Sequence, residues 1–167
     1  CSASSSQQPA LALTDLSNLF GAIKLYKEAR GAGIKPIIGA DVWVQGLGND
    51  NAALSRLVLL VQNQEGYLHL CELLGRAWTE NLVPNMAVLR WEWLAERSGG
   101  LIALSGAQNG TAAGALAQAL IQNDLARAEA IAIRISDAFP HRFYIELQRA
   151  ERADDEMYIG AAVKLAS

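Results

Sequence analysis

Short apolar runs separated by helix-period segments constrain this chain more than any other feature. Ala10-Leu11-Ala12-Leu13 stops at Thr14-Asp15, Leu57-Val58-Leu59-Leu60-Val61 is the clearest run, and Leu101-Ile102-Ala103-Leu104 repeats the pattern before Ser105-Gly106. Continuous apolar runs of this length fit strands covered on both faces. Ile34 to Val44, broken by Pro36 and Gly39, predicts one extended segment with a bend or two short ones, and Phe143 to Leu147 predicts a fifth strand. Between the runs, Phe20, Ile23, Tyr26 and Lys27 fall at helical spacing after a Ser17 or Asn18 cap, with Gly31 or Gly33 as the stop. Glu65 to Asn81 sets Leu70, Leu73, Leu74, Ala77 and Trp78 on one helical face, and Trp91 to Ala95 reads as a short further helix after a loop at Pro84. Ala112 to Phe139 predicts two helices meeting near Asn123-Asp124. Asp154-Asp155-Glu156 opens a last helix through Leu165, where acids suit the helix dipole. This alternation predicts an α/β fold of parallel strands covered by helices, either an open doubly wound sheet or a barrel.

At 167 residues the chain is one domain or most of one, and 51% hydrophobic with 19% charged residues excludes disorder beyond a polar leader, residues 1–8. Lys and Arg total 14 against 17 Asp and Glu, a net charge of −3, which excludes a non-specific nucleic-acid coat. Cys1 and Cys71 are too few for a disulfide framework, so a cytoplasmic setting is expected. No apolar run reaches the roughly 18 residues of a membrane span, and no membrane role is expected.

Candidate chemistry is sparse. A metal centre needs several converging His, Cys or carboxylate groups, and the chain has only His69 and His141, neither with a partner at ligand spacing. Each reads as a surface or half-buried histidine. Cys71, on an apolar-rich helix without a local base, reads as a buried structural thiol and not as a nucleophile. Ser105-Gly106-Ala107-Gln108-Asn109-Gly110 follows a strand and precedes a helix; it could cradle a phosphate on its N–H groups, with a plain turn as the favoured alternative. Asp15 could be a general base, but beside a helix start a cap, or an acceptor that supports a neighbouring group, is favoured. Trp78, Trp91 and Trp93 are not interleaved with Lys and Arg as a base-stacking platform would be, and read as core.

Ordered blocks carry a resemblance: Ala10 to Asp15, Asn18-Leu19-Phe20-Gly21, Gly33-Ile34-Lys35-Pro36-Ile37-Ile38-Gly39-Ala40-Asp41, Asn63 to Tyr67, Gly100 to Gly106 and Phe143 to Arg149. From about residue 9 to the end, the chain resembles the PHP (polymerase and histidinol phosphatase) domain at the amino terminus of the α subunit of bacterial DNA polymerase III. The resemblance implies a distorted seven-stranded β/α barrel. The family's His-x-His first strand and Asn-Asp-x-His last strand are absent, so residues 9–167 read as an internal fragment, a partial PHP domain lacking its first and last strands.

Metal-binding members hold up to three ions at strand ends. Where they read Thr-Asp-His, this chain has Thr14-Asp15-Leu16; where they have Glu after Gly-Cys, it has Asp41; their His before the third strand corresponds to Arg56, and the Cys of their Ser-Gly-Cys to Ala107. The resemblance therefore implies a degenerate metal site at Leu16, Asp41, Arg56 and Ala107, with no catalytic residue and no cofactor in this chain. It also implies a parent replicase that synthesises DNA on a template with magnesium at its own polymerase site, binds DNA mainly through other parts, and is partnered by a proofreading exonuclease and other replicase subunits. The alternatives are a metal-dependent PHP phosphoesterase or 3′-5′ exonuclease, and the α-like subunit of an error-prone polymerase.

Overall fold

A computed structural model describes residues 8–48, 53–106, 114–149 and 155–166. The first unit is a strand–helix–strand crossover: β1 (Ala10–Leu16), α1 (Ala22–Gly31) and β2 (Lys35–Gln45). β1 and β2 run parallel, from Ala10 opposite Lys35 to Leu16 opposite Asp41. α1 stops where Gly33 takes φ +73°, a conformation that costs glycine nothing. The 34–44 segment is one continuous strand despite Pro36. β3 joins β2 only from Gly39 onward, so at Pro36 there is no second ladder to lose a hydrogen bond.

β3 (Leu54–Val61) returns antiparallel to β2, and α2 (Gln64–Glu80) follows it. Next come β4 (Leu82–Val83), β5 (Met86–Arg90), α3 (Trp91–Glu96), β6 (Leu101–Leu104), α4 (Ala115–Ile121), α5 (Leu125–Ala138), β7 (Phe143–Tyr144) and α6 (Asp155–Ala166). The strands form one seven-stranded sheet in the order β4-β5-β2-β3-β6-β7, with β1 also on β2. Among the described residues no pairing joins its outer strands into a closed ring, as suits part of a distorted PHP-type barrel.

The α/β class and the helical cover stand, but the sheet is mixed. β1–β2, β2–β5 and β6–β7 are parallel, whereas β2–β3, β3–β6 and β4–β5 are antiparallel. The length of the link at residues 46–53 explains the first reversal: a parallel return needs a crossover of about a dozen residues or more, and this link is shorter. The β4–β5 hairpin was read as loop because Pro84-Asn85 dominates it. That pair is the turn itself, with Asn85 at φ +60°, and Ala87, Val88 and Leu89 behind it are buried. β7 is shorter than the expected 143–147 strand because the Glu146 N–H leaves the ladder and donates to Ser105 Oγ at 2.9 Å.

The main core joins Ala40, Val42 and Val44 of β2 and Leu57 and Leu59 of β3 to Leu70, Leu73 and Ala77 of α2, and continues through α4, α5 and α6. Two side chains expected inside are not. Cys71 lies one position off the buried stripe of α2 and is exposed. Trp78 remains 45% exposed although its Nε1–H donates to the Ser17 carbonyl at 2.9 Å. On α1 Ile23 and Tyr26 point outward, because the helix seats Ala22, Leu25 and Ala29 against the sheet.

Tyr158 of α6 is fully buried, and its hydroxyl donates to the Glu146 carbonyl at 2.8 Å. Burial raises its pKa above the ordinary tyrosine value; the Glu146 carboxylate adds to this and the Ser105 hydroxyl opposes it. Its contribution is therefore present in full below about pH 10 and lost as pH rises through the raised folded value. Tyr158→Phe is expected to lower stability by about 1 kcal/mol at neutral pH and to flatten the alkaline fall in melting temperature above about pH 10. An unchanged alkaline limb in the variant would contradict this.

Candidate functional site

β2 changes neighbours part-way along. β1 pairs with it up to Asp41, and β5 takes over at Trp43. The Ser17 N–H makes the last contact of the first strand, donating to the Asp41 carbonyl at 2.8 Å, while Ser17 Oγ–H reaches the Ala87 carbonyl at 3.3 Å. The strand ends named by the resemblance meet at this handover. Strand alternation puts Asp41 and Trp43 on the face opposite the core residues Ala40, Val42 and Val44. Leu16 lies opposite Asp41 in register, and Arg56 opposite Trp43.

Arg56 closes onto Asp41 as a two-pronged fork. Its Nε–H donates to Oδ1 at 3.0 Å and its Nη2 to Oδ2, so both carboxylate oxygens are taken by one planar cation. The guanidinium carbon stands 5.3 Å from the centre of the Trp43 ring. Arg56 and Asp41 side chains keep only 19% and 20% of their surface in solvent, so the pair is weakly screened. Trp43 Nε1 is buried and has no hydrogen-bond partner among the described residues. Trp43 is the member of this cluster that the sequence reading did not single out; its signal was the two-residue spacing from Asp41.

This arrangement does not fit a divalent cation. Leu16 offers no donor atom and is 48% exposed. A metal at Asp41 would have to displace a fixed positive charge from both oxygens. Among the described residues no three His, Cys, Asp or Glu side chains converge. Ala107 lies outside the described residues.

The remaining candidates do structural work. Asp15 Oδ2 accepts the Gly21 N–H at 2.9 Å, beside the start of α1. Asn18 does not cap α1 but bridges its own turn, accepting from Phe20 N–H and donating to the Leu16 carbonyl. Half-buried His69 holds the Gly99 carbonyl through Nδ1 at 2.9 Å, and His141 sits exposed in a turn at φ +59°. Of the 105–110 segment, Ser105 and Gly106 are described; Ser105 is committed to β7 and to Glu146. Among the described residues no helix is long and apolar enough to cross a membrane.

The family model of the PHP domain matches residues 2–150. The chain belongs to the PHP domain family. This PHP domain is 45% identical over 159 residues to "DNA polymerase III subunit alpha" of Pseudomonas aeruginosa, covering 95% of the chain and 13% of that relative. The protein of the same name from Escherichia coli K12 is 38% identical over 160 residues, 95% of the chain and 13% of the relative. That of Neisseria meningitidis serogroup A is 41% identical over 163 residues, 95% of the chain and 14% of the relative. The PHP domain thus spans a small part of the length of these curated relatives.

Proposed function

We propose that this PHP domain is a piece of the catalytic α subunit of a bacterial replicative DNA polymerase. In this reading the parent, a cytoplasmic enzyme, performs template-directed DNA synthesis with magnesium bound elsewhere than in the PHP domain. The domain itself is a structural module and a dock for a proofreading exonuclease subunit. Leu16, Asp41, Arg56 and Ala107 are its degenerate metal positions. The names of the relatives support the parent's activity. The domain's own role rests on the Arg56 fork closed on Asp41, which puts a side-chain cation where a metal-dependent phosphoesterase would need an ion and an open coordination position.

The test pairs two assays on the purified parent. Primer extension is expected. Manganese-supported hydrolysis of a phosphodiester is expected only when the exonuclease subunit is added, and Asp41→Asn should not alter it. Hydrolysis by the exonuclease-free parent that Asp41→Asn abolishes would overturn the reading in favour of a PHP phosphoesterase.

A further inference from the structure

Helix α1 turns an unusual face to solvent. Ala22, Leu25 and Ala29 point toward the sheet, whereas Phe20 is 90% exposed and Ile23 72% exposed. Helical spacing puts Ile23, Lys27 and Arg30 on one outward stripe of α1, and Phe20 stands in the turn just before the helix, so the face is apolar at its N-terminal end and basic at the other. Residues 22–35 carry Lys24, Lys27, Arg30 and Lys35 against the single acid Glu28, in a chain whose net charge is −3. The four are exposed, and among the described residues none of them lies in an ion pair. By contrast, Arg76 and Arg97 on neighbouring elements are paired with Glu80 and Glu72.

We propose that the outward face of α1 is the docking surface for the partner assigned above, and that it receives an acidic segment bearing apolar side chains. The inference rests on the docking role proposed in the previous subsection and adds where the partner sits and what chemistry it presents. Charge complementarity selects the occupant: four cations without an ion pair among the described residues, one of them, Arg30, over the Tyr26 ring, stand beside two exposed apolar anchors and match acidic side chains flanking aliphatic or aromatic ones. A nucleic-acid strand would use the cations but leave Ile23 without a purpose, since an aliphatic side chain gives bases no stacking surface.

The experiment measures binding of the full-length parent to its proofreading exonuclease subunit by calorimetry at low and high salt. It compares wild type, Phe20→Ser/Ile23→Ser and Lys24→Glu/Lys27→Glu. Each double variant is expected to bind about 10-fold or more weakly, with an unchanged melting temperature, and wild-type affinity should fall as salt rises. Equal binding by all three overturns the surface and leaves the docking role standing. No binding by the wild type removes the docking role, and this inference with it. A lowered melting temperature in the parent would mean that the parent's own chain covers the face, and loss of oligonucleotide binding with exonuclease binding intact would mean that nucleic acid does; either result overturns the proposal.

Discussion

Gly100→Ala is expected to destabilise the chain by about 3 kcal/mol, through one enforced left-handed residue and one steric overlap. Gly100 sits at φ +69° just before β6, and its carbonyl accepts the Gln62 N–H at 2.9 Å, tying the end of β3 to the start of β6. A Cβ there would overlap Asn63 Oδ1 and stand 2.5 Å from the Gly66 nitrogen. Those two atoms form the cap of α2, in which Asn63 Oδ1 accepts the Gly66 N–H at 2.9 Å. One methyl group therefore disturbs a strand junction and a helix start together. Gly66→Ala meets the same wall from the other side, because its Cβ would overlap the Gly100 carbonyl, and should cost a similar amount. Gly75→Ala, on the same helix with nothing within 4 Å of its added Cβ, should instead stabilise by about 0.5–1 kcal/mol. Urea unfolding of the three variants checks the contrast, and a Gly100→Ala midpoint equal to wild type would refute the junction.

Arg56→Ala carries the second large effect, about 2 kcal/mol. Breaking a fully buried pair by removing one partner costs about 3–5 kcal/mol, and the value here is reduced because Arg56 and Asp41 each keep about a fifth of their surface in water. The loss is twofold: the half-buried Asp41 carboxylate is left without its fork, and the Trp43 ring loses its cation. Asp41→Ala should cost less, because Arg56 retains the Trp43 face and its long stem can swing its charge toward water. The double variant should be less destabilised than the two single changes added together, the signature of a direct pair. Full additivity in a denaturant cycle would show that the fork contributes nothing.

Local pattern carried much of the fold. The apolar run at 57–61 lies in β3, the four residues of 101–104 are β6, and Asp124 caps α5 by accepting the Arg127 N–H, as its place between two helical patterns foretold. Strand direction was less legible, because direction follows from the length of a link and not from the pattern of a run, and the apolar runs on either side of residues 46–53 carry no direction of their own. The inward face of α1 was not legible for a related reason. Periodicity reports which residues share a face but not which face is inside, and here small Ala22 and Ala29 won the contact with the sheet over Ile23 and Tyr26.

The candidate site divides in the same way. Leu16, Asp41 and Arg56 were named through resemblance, and no local pattern foretold that they meet: Asp41 and Arg56 are 15 residues apart, and only the β1–β2–β3 register brings them together. Trp43 escaped notice because an aromatic residue in a strand reads as packing until the cation opposite it is known.

In the proposed function the Arg56 guanidinium takes the place of a metal ion at Asp41. The most direct measurement is the metal content of the full-length parent, purified without chelator, loaded with zinc or manganese and dialysed before elemental analysis. The account predicts well under one ion per PHP domain and no change in content on Asp41→Ala. One or more ions per domain, reduced by Asp41→Ala, would show that the carboxylate still serves a metal and that the fork with Arg56 opens to admit it.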